Sequence, residues 1–86
     1  MKIDWEDKAL QDIEEITFRA PRTARRVVDK LEWLVGSPFP GMFRKVKAWQ
    51  DQHVCSIPPY VALYVIRDDY LIVTGVEDTR RIREPW

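Results

Sequence analysis

The apolar period of this chain changes once, at Gly41, and that change constrains the fold more than any other feature. Before it, Trp5, Ala9, Ile13, Ile16 and Ala20 recur three or four residues apart, with Leu10 beside them. Ala24, Val27, Val28, Leu31, Leu34 and Val35 form a second stripe of the same kind. Such spacing belongs to amphipathic helices, each with one face to bury. After Gly41 the period is two: residues 42–49, 54–57, 61–66 and 71–76 are β-rich runs, separated by roughly two to five residues. Connections that short join antiparallel neighbours, so the four runs form a meander.

Local signals refine the pattern. Residues 2–4 read as a short opening strand, Asp4 as an N-cap with Asp7 in the reciprocal capping position, and the first helix runs to about Phe18. Pro21 suits the first turn of the second helix. Gly36 is placed as its C′ residue, and Pro38 and Pro40 forbid continuation. Helices joined by two or three residues must lie antiparallel, stripe against stripe. Neither the hairpin nor the sheet can hide its apolar side alone. The expected fold is therefore α+β, one domain over residues 1–86: a short N-terminal strand, then an antiparallel helical hairpin packed on a four-strand antiparallel meander, in the order β-α-α-β-β-β-β.

Apolar residues make up 45% of the chain and charged residues 33%, which is ordinary for a globular domain. The longest apolar runs are strand-sized, so no membrane partner is expected. The acidic start, Asp4, Glu6 and Asp7, does not resemble a secretory signal. A single cysteine, Cys55, reads as a buried, inert thiol, and the expected compartment is the cytoplasm. Net charge is zero, but the charges are segregated. Residues 1–18 set Lys2 and Lys8 against Asp4, Glu6, Asp7, Asp12, Glu14 and Glu15. Residues 19–47 set Arg19, Arg22, Arg25, Arg26, Lys30, Arg44, Lys45 and Lys47 against Asp29 and Glu32. Blocks of opposite sign either neutralise each other in the fold or create a directional field.

Chemistry is narrowed mainly by what the chain lacks. One His, one Cys and scattered carboxylates do not make a metal site, and no cofactor is expected. Gly36, Gly41 and Gly75 stand apart, so no phosphate-cradling loop exists, and no nucleophile elbow is present. What remains is cationic. Alternation in the run after Gly41 puts Lys45 and Lys47 on one face and Arg44 on the other. His53 opens the next run, and Arg80 and Arg81 follow directly from the last, with Arg83 and Trp86 beyond. Fixed cations, an imidazole and an aromatic ring suit single-stranded RNA, in which phosphates need charge and bases need a stacking surface. They also suit RNA cleavage, with Arg80, Arg81, Lys45 and Lys47 stabilising the developing phosphorane charge and His53 serving as acid or base. The competing reading is a solvated sheet face. Trp33 lies almost opposite the Leu31/Leu34 stripe, on the side of Arg22 and Arg26. A tryptophan on a polar helical face marks a partner interface, unless the stems of Arg22 and Arg26 or the chain's own tail cover it.

Taken in order, these motifs resemble the RelE/ParE superfamily, the toxin halves of prokaryotic type II toxin–antitoxin modules. The resemblance rests on Ala9-Leu10-Gln11-Asp12-Ile13, Ala24-Arg25-Arg26 and Pro40-Gly41. It continues through Pro59-Tyr60-Val61-Ala62-Leu63-Tyr64, the Asp68-Asp69 turn, Val76, Asp78-Thr79-Arg80-Arg81 and the closing Trp86. It implies a growth-inhibiting toxin neutralised by a cognate antitoxin. RelE-like members resemble ribonucleases that cut mRNA on the ribosome with basic sheet residues and often a C-terminal tyrosine. ParE-like members look like inhibitors of DNA gyrase without a hydrolytic site. No tyrosine follows Tyr70, and the Val76, Arg80-Arg81, Trp86 ending is closer to the ParE-like pattern. A non-toxic protein-binding module of the same fold is the third reading.

Overall fold

A computed structural model describes residues 1–37 and 52–80. It contains β1 (Lys2–Trp5), α1 (Asp7–Arg19), α2 (Pro21–Gly36), β2 (His53–Ile57), β3 (Tyr60–Arg67) and β4 (Tyr70–Asp78). The expected strand at 42–49 lies outside the described residues. The described strands form a mixed sheet in the order β1-β4-β3-β2, with the helical hairpin against one face. The β2-β3-β4 portion is the antiparallel meander that the short connections require. β1 joins it parallel to β4, with Lys2 opposite Tyr70 and Trp5 opposite Val73.

That pairing displaces the expected N-cap. Asp4 and Trp5 are committed to the ladder with β4, and Asp4 Oδ1 accepts its neighbour's N–H at 2.9 Å. The ladder continues one residue further, through Glu6 N–H to Val73 O at 3.0 Å. Glu6 is therefore the N-cap residue, and it makes no side-chain cap bond. Trp5 leaves the helical stripe for the strand but still packs against the core. The hairpin joint is also tighter than expected, being Ala20 alone. Its N–H closes α1 on Ile16 O at 2.7 Å, and its carbonyl accepts the N–H of Ala24 at 3.0 Å to open α2. Pro21 follows at a position where a missing N–H costs nothing. At the far end Gly36 is still helical with no positive φ, and Ser37 N–H closes the last turn on Leu34 O at 3.1 Å.

Ala9, Ile16, Ala24, Val27, Leu31 and Leu34 meet Cys55, Ile57, Ala62, Tyr64, Leu71, Val73 and Val76 in one core. The sheet side of that core changes parity within β4. Tyr64 pairs with Val73 but Leu63 with Gly75, so Thr74 is an extra residue, a β-bulge. Residues 71 and 73 face the helices before it, and 76 after it. Thr74 Oγ1 lies 3.2 Å from Leu63 O and 3.0 Å from Gln52 Oε1, which holds the bulge in place. The β3–β4 turn is Asp68-Asp69 alone, since Arg67 and Tyr70 already pair. Asp68 takes φ 54°, a left-handed conformation that Asp tolerates better than most residues.

Beyond Val73, β4 has no strand beside it on the β1 side among the described residues. α1 fills that place. Asp12 accepts the Val76 N–H at 3.0 Å, and Lys8 bridges Asp12 (2.8 Å) and Glu77. A hydrogen bond to a charged acceptor contributes about 1.5–3 kcal/mol, and losing it leaves a strand N–H unmet at a part-buried edge. Asp12→Ala is therefore expected to destabilise the fold by about 1.5–3 kcal/mol in urea denaturation. Asp12→Asn, which keeps an acceptor, should lose less; equal losses for the two would show that charge rather than the bond is what matters.

Candidate functional site

Among the described residues, two groups of cations flank the β2–β3 turn. The first is the end of β4. Thr79 donates its N–H and its hydroxyl to Pro59 O, both at 3.0 Å, which fastens the chain to that turn. Arg80 follows. Asp78 Oδ1 accepts its N–H at 2.9 Å and its Nε–H at 3.0 Å, and Oδ2 accepts from an Nη at 2.7 Å. The Asp78 side chain is largely covered whereas that of Arg80 is 79% exposed, so a buried-side carboxylate orients a solvent-facing guanidinium. The ion pair holds the Arg80 guanidinium even more firmly protonated than usual. Beside it, Asp12, Glu15, Arg19, Tyr60 and Glu77 line a small cleft of about 60 Å³ between α1 and β4.

The second place is the outer side of α2. Trp33 is 54% exposed, with Lys30 Nζ 4.5 Å from its ring centroid, a cation–π contact. Arg22 and Arg26 are exposed on the same side, so arginine stems leave much of the indole open. Arg25 is tied to Asp29 at 3.2 Å.

His53 is not a surface residue. It is 7% exposed and pairs across the strands with Tyr64, their rings 5.0 Å apart and 15° from parallel. Tyr64 brings it in: the two are direct cross-strand neighbours on the face that meets the helices, where stacked rings bury well. Arg44, Lys45, Lys47, Arg81, Arg83 and Trp86 lie outside the described residues. Sequence reasoning did not single out Lys30, the Lys8–Asp12–Glu77 bridge, or Phe18, which is 91% exposed. The off-stripe position of Phe18 in α1 was the available signal.

The architecture, a helical hairpin on a small sheet with a cationic exit from the last strand, defines a RelE/ParE-type toxin fold. The profile of the ParE toxin of type II toxin–antitoxin systems, parDE, matches residues 3–83. The chain belongs to the ParE toxin family and is the toxin component of a type II module, whose partner is a cognate antitoxin. No curated protein matches it. Among solved structures it is similar to the chromosomal ParDE toxin–antitoxin system of P. aeruginosa. That match has 10% identity and a TM-score of 0.72, over 91% of this chain and 95% of the other. It is also similar to a copper-bound mutant toxin from Helicobacter pylori, with 19% identity and a TM-score of 0.67 over 96% and 99% of the two chains. A conserved hypothetical protein of the same organism shares 17% identity with a TM-score of 0.57, over 93% and 96%. At these identities the likenesses establish the fold. No described helix is long and apolar enough to cross a membrane.

Three protons near these elements are held more tightly in the folded chain than in the unfolded one. Burial raises the Cys55 thiol, with the charge of Lys30 partly opposing it. Burial, and then the neighbouring Cys55, raise the Tyr64 phenol. For Lys8 burial works the other way, but the hydrogen bonds to Asp12 and Glu77 outweigh it and the ammonium is raised. A raised folded value gives stability that is complete below the unfolded value and is lost as pH climbs. The ordinary values are 9.0, 10.0 and 10.5 for Cys55, Tyr64 and Lys8. The stability these three groups contribute is therefore complete below about pH 9, and the melting temperature should fall progressively above it. Tyr64→Phe should flatten that fall; an unchanged slope in differential scanning calorimetry would remove Tyr64 from the account.

Proposed function

We propose that this toxin arrests growth by binding DNA gyrase, as a protein ligand rather than as a nuclease. The observation that carries the reading is the burial of the chain's single imidazole. His53 is stacked on Tyr64 in the face that packs on the helices, remote from solvent-borne phosphates. A general acid or base must come within hydrogen-bond reach of the proton it moves. Arg80, by contrast, is exposed and oriented by Asp78, which suits a cation that recognises an acidic surface. In this reading Arg80, with Arg81, Arg83 and Trp86 following it in sequence, forms the target-binding tail, and Arg44, Lys45 and Lys47 are further cations for the same target. The family to which the chain belongs adds support, since ParE-like members look like gyrase inhibitors.

Induction without antitoxin should cause loss of negative supercoiling in a reporter plasmid and trapped DNA–gyrase complexes, while primer extension finds message intact. Arg80→Ala should stay folded, because the ion pair it gives up is exposed to solvent and screened, yet should blunt the arrest. Early cleavage of ribosome-bound message, with supercoiling unchanged, would instead establish the ribonuclease reading. In that case Arg80, Arg81, Lys45 and Lys47 would be the charge-stabilising groups.

A further inference from the structure

Near its end α1 presents Phe18, 91% exposed, at the close of an outward row of Leu10, Glu14 and Phe18. Members of that row are about one turn, or roughly 6 Å, apart. It reads apolar, acidic, apolar, and Leu10 is itself 43% exposed. Just beyond the Ala20 joint the helices offer the opposite shape. An open groove of about 450 Å³ lies between the last turns of α1 and the first turns of α2, lined by Thr17, Pro21, Arg22, Ala24, Arg25 and Val28. Pro21, Ala24 and Val28 make its apolar floor, and the Thr17 hydroxyl is engaged on Ile13 O at 2.7 Å. Arg22 and Arg25 are its charged members. The Arg25 side chain is 80% exposed even with its Nε 3.2 Å from Asp29. A ring as exposed as Phe18 fills no groove in its own molecule.

We propose that this end of the hairpin is a homodimer surface, with Phe18 of a second copy seated in each groove. Knob and hole lie side by side on one molecule without meeting, so a two-fold axis near Ala20 satisfies both at once. The charges agree with the apolar fit. Glu14, one turn before Phe18 on the same row, follows the ring to the groove and meets Arg22 and Arg25, and the two-fold repeats the pairing in reverse. The change of sign along the sequence, acidic up to Phe18 and basic from Arg19, thereby becomes a self-complementary surface. A uniformly acidic partner, protein or nucleic acid, would meet Glu14 and Glu15 as like charges on reaching the groove. A second copy brings both signs in the right order. One aromatic side chain buries about 150–250 Å². Two rings and their surroundings therefore make a contact at the low end of specific interfaces, under about 1,200 Å². Such a dimer is transient and forms in the micromolar range. It does not depend on the gyrase reading, since it concerns the free toxin before any target is met.

Sedimentation equilibrium of the full-length chain, from about 1 µM to 1 mM, should show a monomer–dimer equilibrium with a dissociation constant of roughly 1–100 µM. Phe18→Asp should weaken it by about tenfold or more, as should Arg22→Glu combined with Arg25→Glu. Adding Glu14→Lys to that pair should recover much of the loss, a rescue that requires the two sides to meet. Raised salt should weaken the parent dimer. Circular dichroism should match the parent for every variant, because the substituted side chains are exposed. A parent chain that stays monomeric to about 1 mM would overturn the proposal. A dimer indifferent to Phe18→Asp, or a charge exchange without rescue, would overturn it as well. Loss of antitoxin binding by Phe18→Asp, with the parent monomeric throughout, would give the groove to the antitoxin instead.

Discussion

The carboxylate of Asp12 on the Val76 N–H holds the architecture together at its least protected place. β1 is only four residues long and its ladder with β4 ends at Val73, yet β4 continues to Asp78. An uncovered strand edge is both a loss of hydrogen bonds and an invitation to unwanted pairing. The chain turns straight from that strand into α1, so the helix is already beside the edge, and one side chain in its second turn completes the backbone pattern. Lys8 then neutralises the approach of Asp12 to Glu77, two acids that would otherwise repel. Because α1 is held there, and α2 is joined to it by a single residue, this contact adds a fixed point to a helical layer that the apolar core otherwise positions.

How far the sequence could be read depended on whether a signal was local. The α2 stripe is strong and self-contained, and its buried residues, Ala24, Val27, Leu31 and Leu34, are those its period selects. The meander was readable because Pro58-Pro59 and Asp68-Asp69 leave no room for any other connection. Asp4 was misassigned because its role is decided by residues nearly seventy positions away, with Ile72 opposite it in the sheet. The same distance hid the parallel pairing of β1. Gly36 looked like a helix terminator because glycine permits a left-handed turn, but permission is not requirement, and the helix closed with an ordinary backbone.

The candidate surfaces divide in the same way. Trp33, Arg22 and Arg26 could be placed on one side of a helix by angle alone, and that side is open. The apolar environment of His53 could not be seen from its neighbours Gln52 and Val54, because Tyr64, on the adjacent strand, supplies it. Lys30 escaped notice for a related reason. Its importance lies in touching an indole one turn away while also reaching the rim of a groove that exists only once β2 is in place.

The extra residue at Thr74 gives β4 two independent phases. Its first half is answerable to the core, through residues 71 and 73, and its second half to the opposite count, through residue 76. That one inserted threonine lets the same strand serve two counts, keeping Val76 in the core and still delivering Thr79 to the Pro59 carbonyl, where the chain is fastened before Arg80. Deleting Thr74 would turn Val76 away from the helices, so the bulge and the interior that keeps the toxin folded cannot be revised separately.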